Sequence, residues 1–387
     1  MRMKTKYLNF LNSMRKTNKI PIIEGDYVTV INLNDLNPKQ LEYLQSKTIF
    51  QIDEITTKNG VKYADVGYKI PLKLSRFQKI ENPYKHRVLF LQFGLKLGTY
   101  GEPDTENFFR GLNNTSELFP IIINEKLPET RVDFYNYSDL YRLKDGYYIK
   151  NINIKEYDFI FFGFMSNYTN IANLVINYVV KNNIPHMKYE TFNYYHNKAY
   201  QFDLLEDLGY PYIPSVMTTK LTPNLKRNIA SFGYPLIIKD VYLDQGKGVF
   251  KMNNEEELIK FFQNNNNLML IQKFIPNDGE FRVITVKNKV QLIAQKENIE
   301  DVNKLNIDNR KSKKGILPAN VIQMCEDVSK HLFSDIIGFD IIQDKEDGTY
   351  YIMETNASPH FAMFSIVTGV NLPDIIANYI VEQIKKR

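Results

Sequence analysis

One hairpin-like segment near the C-terminus constrains the fold of this 387-residue chain more than any other feature. The apolar run Ile336–Ile342 and the run Tyr350–Pro359 flank the turn-forming residues Lys345–Gly348, a pattern that predicts two antiparallel strands. Such a hairpin brings together three oxygen-bearing side chains near the strand ends, Asp340, Glu354 and Asn356. Two carboxylates and an amide suit Mg²⁺, which prefers oxygen ligands and is usually completed by substrate phosphates. These residues alone leave an alternative open, an amphipathic hairpin with acidic residues on its solvated face.

Two segments upstream carry residues suited to binding phosphate. The strand pattern Tyr234–Asp240 ends beside Lys239, and the glycine-containing segment Leu243–Phe250 follows it. Glycine lets backbone N–H groups approach phosphate oxygens, and a lysine at a strand end supplies a compact positive charge. A Gly-Lys-Gly sequence between strands is also typical of an ordinary hairpin turn. The order of the following segments is therefore informative: a strand at Met269–Ile275 precedes Pro276–Ile284.

This ordered set of motifs resembles the ATP-grasp ligases. It consists of a lysine after a strand, a glycine loop, Gln-Lys-Phe-Ile, Gly-Glu-Phe-Arg, Gly-Phe-Asp and Glu-Thr-Asn-Ala-Ser-Pro. The nearest branch is the RimK-type amino-acid ligases, in which Asn-Ala-Ser-Pro is also followed by a segment like Thr368–Asn371 and a last helix. The resemblance runs from about Asn193 to the C-terminus. It implies an α/β (α+β) chain with an ATP-grasp fold, and ATP and Mg²⁺ as cofactors.

The resemblance also implies roles for individual residues. In the family, residues matching Lys198 and Lys239 contact the nucleotide, Gln272 faces adenine and Glu280 binds the ribose hydroxyls. The implied nucleotide contacts are Lys198, Lys239, Gln245, Gly246, Lys247, Gly248, Gln272, Lys273, Ile275, Glu280 and Asn306. The implied metal ligands are Asp340, Glu354 and Asn356, and the implied catalytic residues are Arg282, Lys296 and Arg310. Without the resemblance, Gln272 is interpreted as an ordinary strand-end glutamine.

Two positions depart from the RimK-type pattern. Lys296 stands where an arginine usually stabilises the transferred phosphoryl group, so the charge is kept but the planar two-pronged geometry is lost. His360 stands where glycine usually follows Asn-Ala-Ser-Pro, and it either positions an acceptor or is a partly buried loop side chain.

The basic segment Asn309–Gly315 is predicted to be a loop, which either closes over ATP and favours an acidic substrate or is simply solvated.

These features predict an ATP-grasp ligase that forms carbon–nitrogen bonds and releases ADP. A carboxylate attacks the γ-phosphate of ATP, and an amine then displaces phosphate from the acylphosphate. The predicted partners are a carboxylate donor and an amine acceptor, namely an amino acid, a peptide or a protein tail, and a homo-oligomer is left open. No protein nucleophile is needed, and Cys325 is predicted to be a buried helical residue. A hypothesis from another class is a nucleotide-binding scaffold with little turnover, which recruits a protein partner through its N-terminal module.

Composition argues against several other classes of protein. The net charge of +5, from 49 basic and 44 acidic side chains, is too balanced to predict nucleic-acid binding. A single cysteine excludes a disulfide framework, and no apolar stretch approaches the roughly 18–20 residues of a membrane span. The first 20 residues are basic but lack a continuous apolar core. We therefore expect no secretory signal, no membrane partner and a cytoplasmic protein.

Three domains are predicted. Residues 1–82 form a small β-rich, SH3-like module with strands at Tyr27–Ile31, Thr48–Ile52 and Tyr63–Val66. Residues 83–192 form an α/β domain with strands at Arg87–Phe93, Tyr157–Gly163 and Ile184–Tyr189 and a helix within Asn167–Asn182. Residues 193–387 form the ATP-grasp domain, with helices at His196–Leu208, Val321–Val328 and Leu372–Ile384.

Overall fold

The structure is a computed structural model that describes most of the chain. The described residues are 26–38, 40, 44, 50–52, 54–66, 71–92, 119–163, 169–188, 200–241, 248–297, 312–332, 334–357, 359 and 361–387. The chain forms two compact units. Unit 1 comprises Met1–Val88, Leu127–Asp133 and Ser138–Asp158, and unit 2 comprises Leu89–Lys126, Phe134–Tyr137 and Phe159–Arg387. The domain boundaries expected after residues 82 and 192 stay a prediction.

Short antiparallel strands make up the N-terminal part of unit 1. They are β1 (Tyr27–Val30), β2 (Phe50–Gln51), β3 (Glu54–Lys58), β4 (Val61–Asp65), β5 (Leu72–Lys73) and β6 (Phe77–Ile80). They form two three-stranded sheets, in the orders β2-β1-β6 and β3-β4-β5. Their core includes Val28, Phe50 and Ala64. This confirms a β-rich segment, and its SH3-like identity stays a prediction.

The following elements include six short strands and a helix. They are β7 (His86–Gln92), β8 (Thr130–Asn136), β9 (Leu140–Leu143), β10 (Gly146–Ile149), β11 (Ile152–Asn153), β12 (Phe159–Phe162) and helix α1 (Thr169–Lys181). The sheets have the orders β12-β7-β8 and β11-β10-β9. The predicted strand Ile184–Tyr189 is wrong for its described residues, which form one parallel bridge between Ile160 and His186. Pro185 interrupts the ladder there because it has no N–H group to donate.

A four-stranded sheet lies in the C-terminal part of unit 2. Its elements are α2 (Tyr200–Asp207), β13 (Ser215–Thr218), α3 (Pro223–Ile229), β14 (Leu236–Asp240), β15 (Val249–Met252), α4 (Glu255–Gln263) and β16 (Met269–Lys273). The strand order is β13-β16-β14-β15. Helix α4 starts where Asn254 accepts a hydrogen bond from the Glu257 N–H, while the Glu257 carboxylate accepts one from the Asn253 N–H at 2.8 Å. This reciprocal cap fixes the helix start, and Leu258 and Phe262 pack on the sheet.

A five-stranded antiparallel sheet follows. Its elements are β17 (Gly279–Val286), β18 (Lys289–Glu297), β19 (Ser312–Lys314), α5 (Ala319–His331), β20 (Ile336–Gln343) and β21 (Tyr350–Asn356), in the strand order β19-β18-β17-β20-β21. Alternate residues of a strand point to opposite faces. Phe281, Val283, Phe339 and Ile341 therefore share one face, which belongs to the same buried core as residues of α2 and α5. The intervening residues of β17 and β20 face the other side, where the polar site lies.

Strand β19 lies within the basic segment that was predicted to be a loop, so that prediction is wrong for residues 312–314. Ser312 and Lys314 pair with Lys296 and Ala294 of β18. Gly315 permits this close approach, because a Cβ atom there would lie 2.9 Å from the Ile293 side chain and 3.1 Å from the Ala294 carbonyl carbon.

Two C-terminal helices close the unit, α6 (Ala362–Thr368) and α7 (Leu372–Lys385). Gly369, with φ of 72°, ends α6 in the left-handed region, and the Asn371 side chain caps α7 by accepting a hydrogen bond from the Asp374 N–H. The Thr-Gly-Val-Asn segment thus acts as a helix stop followed by a helix start. The predicted helices at Leu372–Ile384 and Val321–Val328 are confirmed, and Cys325 is buried, which raises the pKa of its thiol to about 12. Among the described helices, none is both long and apolar enough to span a membrane.

Candidate active site

The predicted hairpin forms, and its register places the three predicted metal ligands together. Strands β20 and β21 pair in antiparallel fashion, with Asp340 opposite Glu354 and Gly338 opposite Asn356. The Asn356 Nδ2 group donates to Asp340 Oδ2 at 3.5 Å. The three oxygen-bearing side chains therefore lie close together on the polar face of the five-stranded sheet. Their role as metal ligands stays a prediction.

An irregularity in this hairpin places Glu354 on the polar face. Ile341 pairs with Ile352 but Asp340 pairs with Glu354, so Met353 is an extra residue in β21. In an unbroken ladder Met353 would stand opposite Asp340, and Glu354 would turn towards the apolar core, because successive residues alternate between faces. The bulge keeps Ile352 buried and still presents the carboxylate of Glu354 beside Asp340.

The Asp340 carboxylate is buried, and its two oxygens have different neighbours. Oδ1 lies 3.0 Å from Arg282 Nε and 3.2 Å from Lys296 Nζ, while Oδ2 faces Asn356. Burial alone would raise the pKa of Asp340, but the charges of Arg282 and Lys296 outweigh it and lower the pKa to about 2. The carboxylate is therefore ionised at neutral pH, with Oδ1 engaged by protein cations and Oδ2 on the side of Asn356.

Glu280 forms an ion pair with Lys296. These residues are direct cross-strand neighbours on β17 and β18, as Arg282 and Asp340 are on β17 and β20. Burial and the charge of Asp340 raise the pKa of Glu280, although Lys296 opposes the shift. The four side chains form one buried network of two acids and two bases. The ribose contact that the resemblance implies for Glu280 stays a prediction, and in the structure this carboxylate holds Lys296.

Phe364 of helix α6 contacts this network and was not predicted from the sequence. Its ring centroid lies 5.8 Å from both Arg282 Cζ and Lys296 Nζ. The side chain is buried, at 4% exposed. An apolar residue in a helix gives no sequence signal that distinguishes a cation contact from core packing, so only the fold reveals it.

The glycine of the Gly-Phe-Asp motif has a steric role next to Arg282. A Cβ atom on Gly338 would lie 2.6 Å from Pro359 Cβ and 3.1 Å from Arg282 Nη1. The proline that follows Asn-Ala-Ser therefore packs directly on β20, and both motifs meet beside the Arg282 guanidinium.

Replacing Gly338 by alanine is expected to lower the free energy of unfolding by about 1–3 kcal/mol, the cost of overpacking a close contact. The added methyl group meets Pro359, whose ring cannot rotate away. Urea unfolding of Gly338→Ala measures the loss. In the double variant Gly338→Ala/Pro359→Gly, part of the stability should return relative to the sum of the single changes. Strictly additive effects would show that this contact does not limit position 338.

A small apolar cluster lies along the strand from the polar network. It consists of Ile213, which precedes β13, Ile275, which follows β16, and Ile342 of β20, with Tyr351 and Met353 of β21 at its margin. Ile342 follows Asp340 by two residues on the same face of β20, at a separation of about 7 Å. A buried apolar cluster thus lies next to the buried charged network.

Hydrogen bonds hold the end of β16 and the segment that follows it. Gln272 Nε2 donates to Ser215 Oγ at 2.9 Å, and the Lys273 N–H donates to the Pro214 carbonyl at 3.0 Å. Gln272 is 2% exposed, so in the structure its side chain ties β16 to β13. Further along, the Pro276 carbonyl accepts from the Lys345 N–H at 2.9 Å. The adenine contacts implied for Gln272, Lys273 and Ile275 stay predictions.

The remaining predicted residues are only partly described. Lys239 lies on β14, opposite Val249 and Leu270, and the Gly248 carbonyl accepts a hydrogen bond from the Asp240 N–H at 2.8 Å. The residues outside the described part are Lys198, Gln245, Gly246, Lys247, Asn306, Arg310 and His360. Within the described residues, no group of three or more His, Cys, Asp or Glu side chains is placed to hold a metal ion. The predicted set combines two carboxylates with an amide, so that finding does not decide it.

Comparison with known proteins finds a family match for part of the chain and several structures of similar fold. Residues 213–380 match the family model of the RimK-like ATP-grasp domain, whereas no curated protein sequence matches the chain. The macrocyclase MdnC bound with precursor peptide MdnA from Microcystis aeruginosa has a TM-score of 0.57 at 14% identity, covering 76% of this chain and 99% of that chain. The ATP-grasp ligase PsnB, complexed with a precursor variant, Mg and ADP, has a TM-score of 0.56 at 14% identity, covering 78% and 99%.

D-alanine–D-alanine ligase from Bacillus anthracis, complexed with ATP, has a TM-score of 0.54 at 16% identity, covering 78% of this chain and 97% of that chain. At such low identities these likenesses show the fold. The family match agrees with the paired sheets, the Asp340 hairpin and the buried cations described above. Residues 213–380 therefore match the RimK-like ATP-grasp domain in sequence pattern, and the neighbours match in fold.

Proposed function

We propose that this protein is an ATP-dependent ligase that joins a carboxylate to an amine through an acylphosphate intermediate. The observation that carries the proposal is the cluster of Asp340, Glu354 and Asn356 beside the buried cations Arg282 and Lys296, on one face of the ATP-grasp sheet. Phosphoryl transfer needs positioned positive charge more than it needs a protein nucleophile. The cluster supplies that charge next to candidate metal ligands.

The residues present fit ATP and Mg²⁺. Asp340 Oδ2, Glu354 and the side-chain oxygen of Asn356 form a set of hard oxygen donors, which is the chemistry that Mg²⁺ prefers. Arg282 Nε lies at ion-pair distance from Asp340 but makes no hydrogen bond within the described residues. A buried donor without a hydrogen bond is suited to a bound anion such as a phosphate. Mg²⁺ held by these ligands would neutralise charge on the phosphoryl oxygens.

The chain's own residues account for the remaining requirements. The apolar cluster of Ile213, Ile275 and Ile342 is the proposed neighbour of the adenine ring, and Lys239 is proposed to supply a charge for the phosphates. Arg282 and Lys296 donate to the oxygens of the γ-phosphoryl group while the substrate carboxylate attacks it and ADP leaves. The amine then attacks the acyl carbon, and phosphate leaves. Orientation of the substrates and electrostatic stabilisation of the transition state supply most of the rate acceleration in both steps.

A peptide is the proposed substrate class. MdnC was solved with a precursor peptide, and PsnB with a minimal precursor variant. The proposed carboxylate donor and amine acceptor are therefore side chains or termini of a peptide, with a free amino acid as the acceptor in a second version of the reaction. The proposed partner of the N-terminal β-rich module is a protein or peptide that brings this substrate to the site.

Purified protein with ATP and Mg²⁺ is expected to release ADP and phosphate only when a suitable carboxylate and amine are supplied. Pools of amino acids and of peptides rich in Asp, Glu or Lys provide the carboxylate donors and amine acceptors. Coupled-enzyme detection of ADP, with mass spectrometry of the peptide pools, measures the reaction and identifies its product. The absence of substrate-dependent ADP release from every pool, with normal ATP binding, would favour the nucleotide-binding scaffold instead.

A further inference from the structure

Two buried cations share one aromatic ring at the polar site. Phe364 of α6 lies with its ring centroid 5.8 Å from both Arg282 Cζ and Lys296 Nζ. This is within the roughly 6 Å over which a cation is attracted to a ring face. Lys296 is 4% exposed and Arg282 is 9% exposed. Because neither cation is well hydrated, a contact with the negative face of a ring matters more here than it would on the surface.

The ring stabilises charge without using up hydrogen-bond donors. Lys296 contacts two carboxylates, those of Glu280 and Asp340, and Arg282 contacts that of Asp340. A further carboxylate in the place of Phe364 would hold the cations more tightly but would occupy their N–H groups. A ring face attracts the cations through its quadrupole and accepts no conventional hydrogen bond. The Arg282 Nε donor indeed has no hydrogen bond within the described residues.

The position of Phe364 is fixed by the segments around it. Thr368 Oγ1 donates to the Phe364 carbonyl at 2.6 Å, one turn further along α6. Before the helix, Pro359 packs against Gly338, beside Arg282 Nη1. The backbone that carries the ring is therefore anchored on both sides of Phe364.

We propose that Phe364 is a positioning residue, which holds Arg282 and Lys296 towards the transferred phosphoryl group by the electrostatics of its ring face. This role rests on the proposed function, because it concerns the cations that meet the phosphates. It differs from plain core packing in one measurable respect. Packing depends on the shape of the side chain, whereas attraction of a cation depends on the electron density of the ring.

Fluorinated phenylalanines separate these two roles, because each added fluorine weakens the ring quadrupole with little change in shape. Mono-, di- and trifluorophenylalanine are introduced at position 364, and calorimetry measures the binding of a non-hydrolysable ATP analogue with Mg²⁺. The Kd is expected to rise stepwise, by about tenfold over the series. Phe339, which is fully buried on the opposite face of β20, is the matched control, and the same substitutions there should leave the Kd unchanged.

A second variant and a second measurement complete the test. Phe364→Leu keeps an apolar side chain without a ring and should weaken nucleotide binding at least as much as the trifluoro variant. The thermal unfolding midpoint of the nucleotide-free fluorinated proteins should stay within a few degrees of the parent. A flat series at position 364, with the parent protein binding nucleotide normally, overturns the positioning role alone. Equal slopes at positions 364 and 339 overturn it as well. A parent protein that binds no nucleotide overturns the proposed function together with this role.

Discussion

Replacing Glu354 by glutamine is expected to lower ATP-dependent turnover by about 100-fold or more while the protein stays folded. Several kcal/mol of transition-state stabilisation come from a metal ion on the phosphoryl oxygens, and each 1.4 kcal/mol corresponds to about a tenfold change in rate. Glutamine keeps the size and one oxygen of the side chain but removes the charge that a divalent cation needs. Steady-state ADP release at saturating Mg²⁺ measures the effect.

Glu346 provides the matched control for this substitution. It lies in the exposed turn of the same hairpin, where its N–H donates to Asp344 Oδ1 at 2.8 Å. Glu346→Gln removes the same charge from the same hairpin, away from the candidate metal ligands, and should leave turnover within about twofold of the parent, as expected of an exposed surface change. Near-normal turnover of Glu354→Gln, or an equal loss in Glu346→Gln, would contradict the role assigned to Glu354.

The second large effect is expected at Asp340. Asp340→Asn should lower the free energy of unfolding by about 3–5 kcal/mol, because it breaks a buried ion pair and leaves a charge uncompensated. Lys296 retains Glu280 in this variant, so Arg282 is the cation that loses its ion-pair partner among the described residues. Urea unfolding measures the shift in stability. Nucleotide binding in the presence of Mg²⁺ should weaken as well.

An exposed carboxylate tests whether burial causes the effect. Asp278 lies 2.5 Å from Lys345 Nζ, and its side chain is 82% exposed. Asp278→Asn should therefore change the free energy of unfolding by only about 0–1 kcal/mol, as is usual for a surface ion pair. The double variant Arg282→Gln/Asp340→Asn should be less destabilised than the two single changes added together. A loss at Asp340 no larger than that at Asp278 would contradict the buried network.

The local pattern was enough to predict the hairpin and its candidate ligands. Two apolar runs around a Lys-Glu-Asp-Gly turn specify antiparallel pairing, and the pairing brings Asp340 and Glu354 together. The ordered motifs also identified the domain that the family comparison confirms at residues 213–380. These features succeed because each is encoded within a few neighbouring residues.

Features that depend on distant partners could not be predicted in this way. The sequence does not identify Met353 as an extra residue, because a bulge in β21 is defined only by its pairing with β20. The network of Glu280, Arg282, Lys296 and Asp340 depends on the relative registers of three strands. Phe364 gives the same signal as any core residue of a helix. The site was therefore predicted as a set of residues, but its internal ion pairs were not.

Strand β19 was predicted to be part of a loop because of its composition. Its residues Ser312, Lys313 and Lys314 have the composition of a solvated loop. Gly315, the residue after β19, permits the close pairing with β18. The strand propensities of these residues do not predict such a close approach. The predicted strand around His186 is wrong for another reason. Its proline, Pro185, has no N–H group to donate to a strand ladder.

The metal and nucleotide site is tested most directly by anomalous diffraction from crystals grown with Mn²⁺ and a non-hydrolysable ATP analogue. We expect a manganese peak in bonding contact with Asp340 Oδ2, Glu354 and Asn356, beneath the analogue's phosphates, with the adenine against Ile275 and Ile342. A manganese peak away from these side chains, or a nucleotide bound elsewhere, would contradict it.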